Sequence, residues 1–96
     1  MNPLNEKQLN NELSSLDGWE FKENKIHRNF EFDDFKTALT FIVRVGFDAE
    51  GLGHHPELFN VYNSVSISLS THDAGDKVTE KDINLAKAID AIYKTF

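Results

Sequence analysis

His54-His55-Pro56 and Thr71-His72 stand at the two ends of one alternating segment and hold three of the chain's four histidines. An imidazole has an ordinary pKa near 6.5, so it gives and takes protons close to neutrality. Converging imidazoles in a chain without cysteine suit two kinds of chemistry: general acid–base catalysis, or a His₃ metal site with an open position. Adjacent His54 and His55 point to opposite sides if the backbone is extended, which makes joint ligation awkward. The residues alone leave both possibilities open.

The segment between the histidines must bring them together. Leu58, Asn60 and Tyr62, then Val65, Ile67 and Leu69, alternate with polar residues, and the phase changes across Asn63-Ser64. A period of two predicts strands, and the phase change predicts a hairpin turning at Asn63-Ser64. That register opposes Tyr62 to Val65, Asn60 to Ile67 and Leu58 to Leu69. Carried outward, it opposes His55 to His72, with Cβ atoms about 5 Å apart, and puts His54 beside them. The other hairpin face pairs Phe59 with Ser68 and Val61 with Ser66, a shallow shelf for a flat ring, a contact for a second subunit or an ordinary exposed face.

The flanking elements follow from their own periodicities. Leu9, Leu13 and Leu16 predict a short amphipathic helix over Asn5 to Leu16, stopped by Asp17-Gly18. Trp19 to Phe32 reads as two strands turning at Glu23-Asn24. Asp33 or Asp34 is placed to cap a helix of about four turns carrying Phe35, Ala38, Leu39, Ile42, Val45 and Ala49, closed by Gly51 and Gly53. Thr79-Glu80-Lys81-Asp82 resembles a capping box that opens a last helix with Ile83, Ala86, Ile89, Ile92 or Tyr93, and Phe96 on one stripe. The expected fold is α+β and two-layered: a four-stranded antiparallel sheet with three helices on one face, in the order α-ββ-α-ββ-α.

At 96 residues the chain suits one domain spanning 1–96, with a single modest core. A net charge of −6 disfavours direct binding to nucleic-acid phosphates. No apolar run reaches the roughly 18 residues a membrane span requires. The N-terminus lacks the marks of a signal or transit peptide, so a cytoplasmic protein is expected.

Ala49-Glu50-Gly51-Leu52-Gly53-His54-His55-Pro56-Glu57-Leu58-Phe59-Asn60-Val61-Tyr62-Asn63, followed by Thr71-His72 and Asp82-Ile83-Asn84-Leu85-Ala86, resembles the signature of the pterin-4a-carbinolamine dehydratase family, also called 4a-hydroxytetrahydrobiopterin dehydratases. Gly18-Trp19, Ile26, Arg28, Phe30, Phe32 and Phe35 extend the likeness over nearly the whole chain. The resemblance implies dehydration of 4a-hydroxytetrahydrobiopterin to quinonoid dihydropterin, in the recycling of a pterin used by an aromatic amino-acid hydroxylase. It implies His54, His55 and His72 as the catalytic set, with no metal and no cofactor besides the pterin substrate. Glu50 and Asp82 would orient or charge an imidazole, and Pro56, Thr71, Asp73 and Ala74 would line the pterin.

Plainer readings stand beside these. Asp82 is placed as N3 of the capping box, Glu50 as a solvated helix residue, and His27 as a structural or exposed side chain. The resemblance further implies a homodimer or homotetramer. In animal relatives it also implies a protein-interaction role, as a dimerisation cofactor or transcriptional coactivator. Two departures mark this chain. Asp73-Ala74-Gly75-Asp76-Lys77 carries one glycine where the family often has a Gly-Gly pair, and Gly46-Phe47 replaces small, alanine-rich residues in the middle helix.

Overall fold

The computed structural model describes residues 2–96. Helix α1 (Glu6–Leu13) precedes strands β1 (Glu20–Lys22) and β2 (Lys25–Glu31), helix α2 (Phe35–Leu52), strands β3 (Glu57–Val61) and β4 (Ser64–Leu69), a 3₁₀ turn (His72–Ala74) and helix α3 (Glu80–Tyr93). The strands form one antiparallel sheet in the order β1-β2-β4-β3. The α+β order α-ββ-α-ββ-α expected from the sequence is the one observed.

Alternation along the two central strands sets the core face. Ile26 lies opposite Leu69, Arg28 opposite Ile67 and Phe30 opposite Val65. Ile26, Phe30, Val65, Ile67 and Leu69 are buried, and they join Leu9 of α1, Ala38, Phe41, Val45 and Ala49 of α2, and Ile83, Leu85, Ala86, Ile89 and Ile92 of α3 in one apolar cluster. All three helices therefore cover the same side of the sheet. Burial of this surface, at roughly 25 cal/mol per Å² removed from water, is what commits the chain to two layers.

The helix ends are made by short polar side chains and a glycine, of which the Asn5 cap was not expected. Asn5 accepts from the Gln8 backbone N–H at 2.8 Å and starts α1. Asp34, not Asp33, accepts from the Thr37 backbone N–H at 2.8 Å and starts α2. That bond also lowers the Asp34 pKa. Gly53 ends α2 with φ 66°, donating to Glu50 O at 3.0 Å, while Gly51 lies inside the last turn. At 18 residues, α2 runs one turn longer than expected. Helix α1 is shorter, stopping at Leu13, yet Leu16 is buried beyond it in the turn that leads to Gly18.

The second hairpin differs from expectation in its turn. The two loop residues are Tyr62 and Asn63, with Tyr62 at φ 50°. Val61 faces Ser64, Asn60 faces Val65, Phe59 faces Ser66, Leu58 faces Ile67 and Glu57 faces Ser68. Side chains explain the choice. The Asn60 amide donates to Ser64 O at 2.9 Å and Tyr62 O at 3.2 Å, bracing the loop from within. Asn63 is tied to the end of β2, its amide donating to Phe32 O at 2.8 Å and its own O accepting from the Phe32 N–H at 2.9 Å. The register is thus displaced by two residues from the expected one. A two-residue displacement keeps every side chain on its face, so the inside–outside pattern survives while every opposed pair changes.

Candidate active site

Strand β4 ends at Leu69, and the chain continues through Ser70 and the buried Thr71 into the 3₁₀ turn that begins with His72. Strand β3 begins only at Glu57, so His54, His55 and Pro56 form the connection from α2. His55 and His72 therefore are not an opposed pair in the ladder, contrary to the expected register. Loops bring the histidines together instead: Gly53, His54 and His55 on one side, and Ser70 to Asp73 on the other, line a single cleft of about 250 Å³ with Lys81 from α3.

Each of the three imidazoles has its own carboxylate. His54 Nε2 lies 2.5 Å from Asp82 Oδ1, His55 Nε2 2.7 Å from Glu50 Oε1, and His72 Nδ1 2.8 Å from Asp76 Oδ1. An ionised carboxylate only accepts, so the bonded ring nitrogen carries the hydrogen. In their neutral forms His54 and His55 are left with a lone pair on Nδ1, and His72 with one on Nε2. A carboxylate behind an imidazole fixes ring orientation and tautomer together.

The three pairs differ in setting. His54 is nearly enclosed, with a side chain 10% exposed, and Asp82 is fully buried. The second carboxylate oxygen of Asp82 accepts from Thr71 Oγ1 at 2.9 Å and from the Thr79 backbone N–H at 2.9 Å. Thr71 and Thr79 share a further hydroxyl bond of 2.7 Å. Asp82 therefore completes, as N3, the capping box that Thr79 opens at the start of α3, and is the partner of His54 at once. The other two pairs are open to solvent, the His55 side chain being 70% exposed and that of His72 90%. The His72 pKa is raised above its ordinary value by the hydrogen bond to Asp76, then by the charges of Asp76 and Asp73.

Of the remaining residues singled out in the sequence, Thr71 and Asp73 line the cleft; Pro56, Ala74, Glu50 and Asp82 do not. Glu50 and Asp82 reach it only through the histidines they bind. Lys81 and Asp76 were not among the expected site residues. Asp76 stands four positions after His72, but in a turn that spacing carries no rule of contact. His27 sits apart on the open sheet face, with Nδ1 2.7 Å from Ser68 Oγ and Nε2 3.0 Å from Lys22 O. Among the described residues no three His, Asp or Glu side chains are grouped so as to hold a metal ion, and no helix is long and apolar enough to cross a membrane.

An α+β sheet whose loops gather imidazoles beside the end of a capped helix defines the class of protein in structural terms. Sequence comparison then gives the family. The model of the pterin 4 alpha carbinolamine dehydratase family matches residues 2–92, and the chain belongs to that family. A protein of Christiangramia forsetii, provisionally named a pterin-4-alpha-carbinolamine dehydratase, is 47% identical over 95 residues, which cover 99% of this chain and 97% of that one. A Sulfurisphaera tokodaii protein with the same provisional name is 42% identical over 92 residues, covering 96% and 98%. The crystal structure of a Brucella melitensis protein described as a transcriptional coactivator/pterin dehydratase superposes with a TM-score of 0.91 at 44% identity, covering 96% of this chain and 99% of that one.

Proposed function

We propose that this protein dehydrates 4a-hydroxytetrahydropterin to quinonoid dihydropterin and water by histidine acid–base catalysis, in the recycling of the pterin used by an aromatic amino-acid hydroxylase in the cytoplasm. The observation that carries the reading is three imidazoles on one cleft, each held by a separate carboxylate. The reaction breaks the C4a–O bond, forms the N5=C4a double bond, and removes the N5 proton. An imidazolium gives its proton to the departing hydroxyl, which leaves as water, and a neutral imidazole accepts the proton from N5. The two transfers balance, with the N5 lone pair supplying the push, so the scheme calls for no redox partner and no metal. Each positioned proton transfer is worth typically 10²–10⁴-fold in rate. Thr71 and Asp73 line the cleft where the pterin would sit, and Pro56 and Ala74 adjoin those walls in sequence.

The test is dehydration of 4a-hydroxytetrahydropterin, followed by absorbance, with purified protein. The wild-type chain should accelerate the reaction, and His72→Ala should lower the rate by about a hundredfold with the fold intact, since His72 lies on the surface. A rate no faster than the spontaneous one would overturn the reading.

A second reading, as a dimerisation cofactor or transcriptional coactivator, draws on the name of the Brucella melitensis structure and on the apolar surface left uncovered here. Phe47 is 76% exposed and Phe59 67%. The same surface supports a homodimer or homotetramer. Inactivity toward the carbinolamine, together with tight association with a partner protein, would favour the second reading over the first.

A further inference from the structure

We propose that Asp76 is a positioning residue for His72: it holds the ring by Nδ1–H and leaves Nε2 as the nitrogen that exchanges a proton with the cleft ligand. The inference rests on the dehydratase reading, which it deepens.

Backbone conformation is the first observation. Asp76 holds φ 60° immediately after Gly75 at φ 78°. A non-glycine residue pays steric cost in this left-handed region, and aspartate tolerates it better than most because its short side chain can bond locally. Here the side chain bonds the imidazole on the cleft, four residues back, at 2.8 Å.

The second observation is that the turn is tied down on both sides. Thr71 N–H donates to Lys77 O at 2.8 Å, Gly75 N–H to His72 O at 3.0 Å, and Asp76 N–H to Thr71 O at 3.1 Å. These bonds fix the separation of the His72 and Asp76 backbones, so the ion pair is not two loose side chains meeting in solvent. An ordinary surface pair adds little to stability. The function argued here is one of orientation and proton affinity, which does not require a stabilising pair.

The third observation is the asymmetry among the imidazoles. His54 and His55 each bind their carboxylates through Nε2, and His72 binds through Nδ1. Among the described residues Asp76 is the one hydrogen-bond partner of the His72 ring, so without it the ring is free to rotate. The charged or titratable groups around it are Asp76 and Asp73 on its own turn, His54 and His55 across the cleft, and Lys81 on α3. Asp76 and Asp73 hold the ring's pKa up.

The experiment compares Asp76→Asn and Asp76→Gly with wild type and His72→Ala. Nitrogen-15 NMR of histidine-labelled protein should find the neutral His72 of wild type with hydrogen on Nδ1. In both Asp76 variants its titration should move toward the ordinary value, with a mixture of tautomers. Dehydration should fall roughly tenfold in kcat, with KM little changed, and the pH limb belonging to His72 should move down alongside the NMR titration. Thermal stability of Asp76→Gly should match or exceed wild type, because glycine suits the left-handed backbone. A merely structural aspartate would instead give an unshifted His72 titration, and that result overturns the inference whatever His72→Ala does. Full activity in His72→Ala overturns the reading of the site itself.

Discussion

With no solvent exposure, the Asp82 carboxylate depends on His54, Thr71 and Thr79 for all its hydrogen bonds. Truncation leaves a buried hydroxyl and a helix-start N–H without their acceptor. Asp82→Ala should therefore cost about 2–4 kcal/mol of stability, read from urea denaturation, and should also slow dehydration by releasing His54. His72 gives a second test at this scale. Its folded-state pKa is raised, so the stabilisation it contributes is fully present below its ordinary value near 6.5 and is lost as pH rises through the folded value. The difference in urea midpoint between wild type and Asp76→Asn should accordingly narrow as pH rises across that window; a difference that widened would contradict the pairing.

At the scale of elements, the site is a product of how helices and strands stop. Gly53 closes α2 in the left-handed conformation and is followed at once by the histidine pair. A Cβ at Gly53 meets no atom within 4 Å, so Gly53→Ala is penalised by the backbone alone. That penalty should be about 1 kcal/mol in a denaturation curve, with a lower dehydration rate as His54 shifts. Local signals of this kind were readable in advance. Asp34, Thr79 and the Glu23-Asn24 turn are where capping and turn chemistry put them, and both turn residues take positive φ, 54° and 64°. What escaped reading depended on distant contacts. Asn63 looked like the left-handed turn residue, but its bonds to Phe32 and the Asn60 brace give that conformation to Tyr62. Phe41 was missing from the expected α2 stripe although it is fully buried, packing with its ring centroid 5.0 Å from that of Phe30. The histidines were foreseen as neighbours through a ladder pairing that does not exist; the loops after α2 and β4 gather them. Asp76 was visible only as a departure from a glycine pattern, because a turn contact has no periodicity to announce it.

On the scale of the whole molecule, the apolar surface is larger than one copy can cover. Phe35, Leu39, Val43 and Phe47 recur every four residues along α2, away from its buried Ala38, Phe41, Val45 and Ala49, and all four are exposed. Nothing lies within 4 Å of a Cβ placed on Gly46, so the backbone there is open to close approach by another helix. On the proposal of a homo-oligomer, light scattering should give a multiple of 11.0 kDa, and Phe47→Asp should reduce the particle mass. A wild-type particle of one chain at assay concentration would remove the proposal.

Four acids, Glu50, Asp73, Asp76 and Asp82, stand beside or behind the imidazoles, while Lys81 lines the cleft and Lys25 lies within charge range of Asp76, on a chain already carrying −6 overall. A reduced pterin whose tail ends in a phosphate ester would approach ground of its own sign, whereas a plain hydroxylated tail would feel little. Such discrimination softens as added salt shortens the screening length below the roughly 8 Å of physiological solution. On the dehydratase reading, the anchoring of each ring would thus sort substrates by the charge of a part that takes no share in the chemistry.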